Sequence, residues 1–198
     1  MGKSLFLKGD SGEGKTTLLF QCLKPYRAVT GGFFSQRLVD ENGDTAGFRL
    51  ASAKEEWEPK GVYREGLADV FLRRTKDGMV LFPQVFLSTG RKLLTGNGEE
   101  KFILMDEIGG AELLIPEFME AVHDCLDGPK LCIGVIKSRK NYATMMSRNG
   151  SCPFAPRLRD MLEAEVLKNQ DNQLLTYWRK DTETARERVL NYIREGIS

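Results

Sequence analysis

A glycine-rich segment near the N-terminus constrains this chain more than any other feature. Residues 9–16 read Gly-Asp-Ser-Gly-Glu-Gly-Lys-Thr and match G-x-x-x-x-G-K-[ST] at every fixed position. The segment follows the apolar run 5–7 and opens a predicted helix over 16–23, so it joins a buried strand to a helix. Its glycines allow successive backbone N–H groups to face a polyphosphate, and the helix N-terminus adds a favourable field. The pattern therefore predicts a phosphate-binding loop.

Two residues at the end of this phosphate loop, residues 9–16, have specific expected roles. The Lys15 ammonium is expected to reach the β- and γ-phosphates of a bound nucleotide. The Thr16 hydroxyl is expected to bind Mg²⁺, as the Ser or Thr after the lysine does in such loops. The pattern therefore predicts that a nucleoside triphosphate binds together with Mg²⁺.

An apolar run that ends in two acids supplies the second half of such a site. Residues 102–105 read Phe-Ile-Leu-Met, which is typical of a central strand covered on both faces, and Asp106 and Glu107 follow directly. We expect Asp106 to hold Mg²⁺ through water. We expect Glu107 to lie beside the γ-phosphate and to orient or deprotonate an attacking water. Two distant parts of the chain are thus predicted to meet in one site.

Buried strands alternate with amphipathic helices along the chain. Predicted strands coincide with short apolar runs at 5–7, 102–105, 131–136 and 174–178. Predicted helices have apolar residues at helical spacing, at 16–23, at 116–126, and from an Asp181 or Thr182 cap to just before Gly196. This alternation predicts an α/β fold, with a mainly parallel sheet and helices on both faces.

An antiparallel elaboration is predicted near residues 32–51. Residues 32–40 and 45–51 read as two strands, and Asn42-Gly43 between them is typical of a tight hairpin turn. The polar segment 52–66 is predicted to be an irregular connection.

The segment 70–94 gives an ambiguous pattern. A strand near 79–82 and a helix near 84–94 are the expectations for it. Because no linker-like segment divides the 198 residues, we expect one nucleotide-binding domain over residues 1–198.

Composition and charge exclude several classes of protein. Lys and Arg total 29 and Asp and Glu total 28, so the net charge of +1 argues against a nucleic-acid or membrane-surface partner. No run approaches the roughly 20 apolar residues that span a bilayer. The sequence shows no export signal and no C-x-x-C pair, which predicts a cytoplasmic protein with reduced thiols. The cysteines concerned are Cys22, Cys125, Cys132 and Cys152.

Three blocks of the sequence resemble P-loop nucleoside-triphosphatases of the thermophilic type, a family that includes the cancer-related nucleoside-triphosphatase. The first block is the phosphate loop, continued by Thr17. The second is residues 32–35, Gly-Phe-Phe-Ser, with a later Gly-Phe at 47–48, similar to the family's G-F-Y-T and G-F. The third is residues 106–113, which read D-E-I-G-G-A-E-L and are similar to D-E-I-G-x-M-E-L. From residue 137 onward the resemblance is loose.

This resemblance implies a three-layer P-loop fold and Mg²⁺-dependent hydrolysis of ATP or other nucleoside triphosphates to diphosphate and phosphate. It also implies that the nucleotide contacts two segments. The expected contacts are Gly9, Asp10, Ser11, Gly12, Glu13, Gly14, Lys15, Thr16 and Thr17, and Ile103, Leu104, Met105, Asp106, Glu107, Ile108, Gly109 and Gly110. This chain departs from the family at Gln36 and Arg37, where acids are usual, and at Ala111, where Met is usual. The base preference and the oligomeric state stay open.

A basic stretch follows the predicted strand 131–136. Because it lies at the carboxyl edge, where ligands bind in open α/β sheets, it is predicted to be a mobile lid or a second phosphate site, or else a solvated loop whose cations pair with acids elsewhere. Arg139, nearest the strand, is the candidate for contacting the γ-phosphate, by analogy with the stabilising arginines of phosphoryl transfer. Against the single acid Asp160, the cations are Lys137, Arg139, Lys140, Arg148, Arg157 and Arg159.

Three other functions compete with hydrolysis. A small-molecule or nucleotide kinase would use the same phosphate loop, with residues 137–159 as a lid; Glu107 directly after Asp106 favours hydrolysis, because a kinase must exclude water. A GTP switch is suggested by Asp106-x-x-Gly109, but no N-K-x-D motif follows. A module that binds ATP only as a structural ligand is the third.

Overall fold

The computed structural model describes residues 3–141 and 156–197, and Arg148 and Cys152 lie outside these ranges. The strands are β1 Ser4–Lys8, β2 Thr30–Val39, β3 Thr45–Ser52, β4 Lys60–Val62, β5 Val70–Thr75, β6 Gly78–Leu81, β7 Phe102–Ile108, β8 Leu131–Ile136 and β9 Gln173–Thr176. The α-helices are α1 Lys15–Leu23, α2 Pro83–Val85, α3 Arg91–Thr95, α4 Pro116–Asp127, α5 Pro156–Leu167 and α6 Thr182–Ile197, with a π-helical turn over Phe86–Gly90.

The strands form one sheet in the order β6-β5-β3-β2-β7-β8-β1-β9, with β4 paired to β2. Pairing is parallel throughout β2-β7-β8-β1-β9 and between β2 and β4. It is antiparallel in β2-β3, β3-β5 and β5-β6. The predicted fold class, a mainly parallel sheet with an antiparallel hairpin, is confirmed.

The central strands are buried on both faces, as their continuous apolar runs predict. Leu5 and Leu7 pack on one side with α1 and α6, where Val189 and Ile193 lie. Phe6 packs on the other side in the layer to which α4 and α5 contribute. Because successive strand side chains point to opposite faces, each strand contributes to both cores. The result is the predicted arrangement of three layers.

Several predictions about elements need correction. Residues 60–62 in the predicted irregular connection form β4, and residues 70–75 form β5. Helix α5 begins at Pro156, in the last residues of the basic stretch, and continues to Leu167, where no helix was predicted. Helix α6 does not end before Gly196 but continues to Ile197, because Gly196 keeps a helical backbone and not the positive φ of a helix-ending glycine.

The sequence led to two further predictions, one about the cysteine thiols and one about membrane-spanning segments. Cys22, Cys125 and Cys132 are free thiols. Of the helices formed by residues 3–141 and 156–197, none is long and apolar enough to cross a membrane.

A buried carboxylate fixes the entry to β7. The Glu100 side chain is 2% exposed and pairs with Lys54 at 2.9 Å and Lys130 at 3.4 Å. It also accepts hydrogen bonds from the backbone N–H groups of Asn97 and Gly98. Burial alone would raise the pKa of Glu100, but the hydrogen bonds from Lys54, the backbone and Lys130 outweigh it and lower the pKa to about 2.

Replacing Glu100 with glutamine is expected to lower the free energy of unfolding at pH 7 by about 1–3 kcal/mol, because the charge-assisted hydrogen bonds are lost. Since folding lowers the Glu100 pKa, its contribution is present above pH 4.5 and is lost as the pH falls toward 2. Urea unfolding from pH 7 to pH 3 should show a steeper loss in the wild type than in Glu100→Gln. The exposed neighbour Glu99→Gln is the control; an equal effect at both positions would contradict the assignment.

Candidate active site

The phosphate loop leaves β1 and enters α1 in a backbone shape that requires glycine at two points. A Cβ on Gly9 would lie 2.5 Å from the Tyr177 carbonyl oxygen, so a side chain is excluded there. Gly14 immediately precedes α1 with φ of 100°, a left-handed conformation that glycine adopts without strain. The loop therefore presents backbone rather than side chains to a ligand at the helix N-terminus.

Lys15 lies inside this loop. It is 6% exposed, and its Nζ donates to the carbonyl oxygens of Gly9 at 3.0 Å and Asp10 at 2.6 Å. Burial lowers the pKa of Lys15, while the negative charges of Glu107 and Asp106 act in the opposite direction. Carbonyl groups thus hold the ammonium close to the two acids of β7, and within residues 3–141 and 156–197 no carboxylate forms a salt bridge with it.

Asp106 meets the phosphate loop through Thr16. The Thr16 hydroxyl donates to Asp106 Oδ1 at 3.1 Å, although the two residues are 90 positions apart. Asp106 is 2% exposed. Burial and, after it, the charge of Glu107 raise the pKa of Asp106 to about 7, against the opposing effects of Thr16 and Lys15. A carboxylate in this situation is stabilised by any nearby cation.

The Thr16 and Asp106 oxygens fit Mg²⁺. Mg²⁺ prefers oxygen ligands and is usually held by one or two carboxylates together with substrate phosphates, rather than by a cage of side chains. Among the described residues there is no group of three or more His, Cys, Asp or Glu side chains that could hold a metal ion. The donor set at this edge therefore suits an ion that phosphate groups help to bind.

Glu107 is positioned by a lysine from the next strand. Lys137, directly after β8, donates from Nζ to Glu107 Oε2 at 2.5 Å. Burial would lower the pKa of Lys137, but Glu107, Glu112 and Asp106 outweigh burial and raise it. The sequence placed Lys137 only in the basic stretch; its pairing with Glu107 depends on the adjacency of β7 and β8.

The turn after β7 is fixed by Glu112. Its Oε1 accepts hydrogen bonds from the backbone N–H groups of Gly109 at 2.6 Å and Gly110 at 2.7 Å. The carboxylate is 6% exposed, and burial raises its pKa. This internal clamp keeps the backbone beside Glu107 in one shape.

These groups line a single cavity of about 540 Å³ at the carboxyl edge of the sheet. The predicted nucleotide contacts that line it are Ser11, Gly12, Gly14, Lys15, Thr16, Thr17, Asp106, Glu107 and Gly110. Ile103 and Met105 lie instead in the core beneath it and are 0% exposed, as is Leu104. The phosphate loop and the acids, predicted from separate parts of the sequence, are brought together.

Comparison with known proteins identifies the family to which this chain belongs. The NTPase family model matches residues 4–167, which is most of the chain. The chain belongs to this NTPase family. The family consists of hydrolases, so the prediction of an enzyme is confirmed.

Relatives of known name agree with the family. The chain is 30% identical over 179 residues to the nucleoside-triphosphatase THEP1 of Thermotoga petrophila, covering 82% of this chain and 90% of the relative. It is 27% identical over 180 residues to the nucleoside-triphosphatase THEP1 of a second Thermotoga strain, covering 86% and 90%.

Two solved structures share the fold of this NTPase. The crystal structure of THEP1 from Aquifex aeolicus superposes with a TM-score of 0.64 at 17% identity, covering 95% of this chain and 97% of that one. The solution structure of a human cancer-related nucleoside triphosphatase gives a TM-score of 0.63 at 18% identity, covering 98% of each chain.

In this NTPase, Arg139 lies apart from the cavity lining. Its side chain is 76% exposed and makes two hydrogen bonds to Asp160, at 2.9 Å and 2.8 Å. Asp160 also accepts from Arg159, so the one acid in the basic stretch is shared by two arginines. Contact between Arg139 and a γ-phosphate stays a prediction.

Two residues that contact the phosphate loop, Asn141 and Arg179, were not predicted from the sequence. Asn141 Nδ2 donates to the Gly9 carbonyl, and its Oδ1 accepts from the Ser11 N–H, each at 3.3 Å. Arg179, beyond β9, donates from Nη2 to the Gly12 carbonyl at 2.6 Å and from its backbone N–H to Glu13 at 2.9 Å. The available signal was position: both residues follow strands whose carboxyl ends flank β1.

Proposed function

We propose that this chain is an Mg²⁺-dependent enzyme that hydrolyses ATP and other nucleoside triphosphates to the diphosphate and phosphate. The observation that carries the proposal is the contact between the Thr16 hydroxyl and Asp106, which joins the phosphate loop to the acids of β7. The similarity to relatives named nucleoside-triphosphatases supports it. In this proposal the whole chain, residues 1–198, is one nucleotide-binding domain.

The phosphate groups are held by the loop. Backbone N–H groups at the start of α1 bind the phosphates, and the Lys15 ammonium leaves the carbonyls of Gly9 and Asp10 to contact the β- and γ-phosphates. Thr16 and Asp106 hold Mg²⁺, which supplies charge neutralisation of the phosphate oxygens when it is bound. Residues 106–110 flank the terminal phosphate through the acids Asp106 and Glu107 and the turn that Glu112 fixes.

Glu107 acts on the attacking water. Its carboxylate accepts a proton from the water, or orients it, while the oxygen attacks the γ-phosphorus. Lys137 holds this carboxylate in place through the 2.5 Å hydrogen bond and adds positive charge next to the phosphate site.

Phosphate release tests the proposal directly. The assay compares ATP, GTP, CTP and UTP, each with Mg²⁺ and with a chelator, and turnover is expected with all four and only with Mg²⁺ present. Binding without turnover of any nucleotide would contradict hydrolysis and favour a module that uses ATP as a structural ligand. Turnover of GTP alone would favour the GTP switch.

Arg139 is proposed to stabilise charge that develops in the transition state. To do so, its guanidinium must leave Asp160 and contact the phosphate. Because this contact forms in the transition state, the Arg139→Ala variant should have a turnover rate at least about tenfold lower, with little change in nucleotide affinity. Steady-state kinetics with titration calorimetry measures both quantities. Arg157→Ala, at an exposed position on α5, is the matched control. Unchanged turnover in Arg139→Ala would reduce this arginine to a surface partner of Asp160.

A further inference from the structure

Strand β2 extends well beyond the site described above. Residues Thr30–Phe34 pair with β7, and the last of these pairs joins Phe34 to Asp106. The strand continues to Val39, so its second half projects past the acids at the carboxyl edge of the sheet. At about 3.3 Å per residue, Arg37 lies about 10 Å beyond the level of Asp106.

One face of this projecting sheet carries an apolar surface that lines the same cavity. Phe33, Ser35 and Arg37 alternate along β2 and share that face, and Phe48 on β3 lies opposite Arg37. Leu72 on β5 lies opposite Phe48 and also lines the cavity. These five residues define the outer chamber, which is continuous with the phosphate site.

Aromatic rings form the wall of the outer chamber. Phe86, from the π-helical turn, lies 5.0 Å from Phe71 between ring centroids, and Phe71 lies 6.4 Å from Phe48. Phe48 and Phe71 are only half-buried, so apolar ring surface faces the cavity. A planar or apolar molecule bound here would remove this ring surface from water, and that removal would stabilise the complex.

Two cations stand at the far end of the outer chamber. Arg37 pairs in register with Lys60 on β4, which places the two residues side by side, and both line the cavity. Within residues 3–141 and 156–197, neither side chain forms a salt bridge. Glu58 adds one carboxylate at this rim. The excess of positive charge favours an anionic group there.

The outer chamber lies on the terminal-phosphate side of the nucleotide. The order β2-β7-β8-β1-β9 puts the acids of β7 between β2 and the phosphate loop after β1. Arg179, which follows β9, contacts the loop from the opposite side. A nucleotide held by the loop with its γ-phosphate beside Asp106 and Glu107 therefore leaves the outer chamber empty.

We propose that the outer chamber binds a small acceptor with a hydroxyl group, a ring-sized apolar body and an anionic group at the opposite end, and that the enzyme transfers the γ-phosphoryl group to it. The anion binds Arg37 and Lys60, the ring packs on Phe48 and Phe71, and the hydroxyl lies next to Glu107. This inference rests on the proposed function, because hydrolysis is the same reaction with water in the hydroxyl's position.

The transfer step conserves atoms and charge. The hydroxyl oxygen forms a bond to the γ-phosphorus while the bond from that phosphorus to the β,γ-bridging oxygen breaks. The hydroxyl proton passes to the Glu107 carboxylate, and the diphosphate leaves with the electron pair of the broken bond. The products are a nucleoside diphosphate and a phosphate monoester.

A probe with the required groups is 4-(hydroxymethyl)benzoate, and benzyl alcohol is its uncharged counterpart. Binding of each to the full chain is measured by ligand-detected NMR with Mg²⁺ and a non-hydrolysable ATP analogue. Transfer from ATP is followed by ³¹P NMR, which separates a phosphate monoester from inorganic phosphate. The variants are Arg37→Gln and, as a matched control, Arg74→Gln, an exposed arginine on β5 away from the cavity lining.

The expected result is that the benzoate binds more tightly than benzyl alcohol and gives a monoester signal. Arg37→Gln should weaken benzoate binding at least tenfold, whereas Arg74→Gln and the binding of benzyl alcohol should be unaffected. Equal benzoate affinity in the two variants, or phosphate release with no monoester at saturating probe, would overturn the proposal while leaving hydrolysis intact. Failure of the proposed function has a different signature, which is loss of phosphate release without any probe.

Discussion

Replacing Lys15 with alanine is expected to remove measurable affinity for ATP with Mg²⁺ while leaving the fold intact. Lys15 supplies two or three charge-assisted contacts to phosphate at roughly 1.5–3 kcal/mol each, so the expected loss in affinity is about 10²-fold or more. The fold should tolerate the change, because among the described residues the ammonium donates to the carbonyls of Gly9 and Asp10 and to no carboxylate, and burial lowers its pKa.

Titration calorimetry on both proteins measures this loss, and circular dichroism with thermal unfolding verifies that the variant is folded. Lys168→Ala is the control, since that side chain is 74% exposed and pairs only at the surface with Glu165. Affinity that survives in a folded Lys15→Ala protein would mean that residues 9–16 do not bind phosphate.

Replacing Glu107 with glutamine is expected to keep nucleotide binding and to lower hydrolysis by about two to four orders of magnitude, the usual scale for losing a general base. Glutamine preserves the shape of the side chain, and its carbonyl oxygen can still accept the hydrogen bond from Lys137. What it loses is the ability to take a proton from water.

Single-turnover phosphate release, together with calorimetric affinity, separates these two effects. Glu187→Gln, at an exposed position on α6, controls for the loss of one negative charge. A Glu107→Gln enzyme that hydrolyses ATP at nearly the wild-type rate would show that another group activates water.

Features encoded by a short contiguous pattern were predictable from the sequence. The phosphate loop and β7 each follow from a local run of residues, and the register of β2 with β3 follows from a hairpin turn. The position of Thr16 beside Asp106 was predictable because the carboxyl ends of parallel strands meet at one edge.

Helices and strands whose apolar pattern is interrupted by charged residues were not predicted from the sequence. Strand β5 reads Val-Phe-Leu-Arg-Arg-Thr, and its stability comes from pairing with β3 and β6 rather than from its own pattern. Helix α5 contains Leu158, Leu162 and Val166 at a spacing of four, but the surrounding arginines obscure this apolar pattern.

Pairings between side chains that lie far apart in the sequence could not be predicted from it. The count of six cations against one acid did not show that Lys137 binds Glu107, since that acid belongs to β7. Likewise, nothing local indicates that Arg179 contacts Gly12, because the contact exists only once β9 lies beside β1.

The contacts of the phosphate loop have a consequence for the order of events on the ribosome. Residues 9–16 are synthesised before strands β8 and β9, yet the shape of the loop depends on Asn141, on Tyr177 packed against Gly9, and on Arg179. A nascent chain that has not yet emerged as far as β9 lacks the last two of these contacts. We therefore expect the ability to bind nucleotide to arise only after β9 and Arg179 have been synthesised.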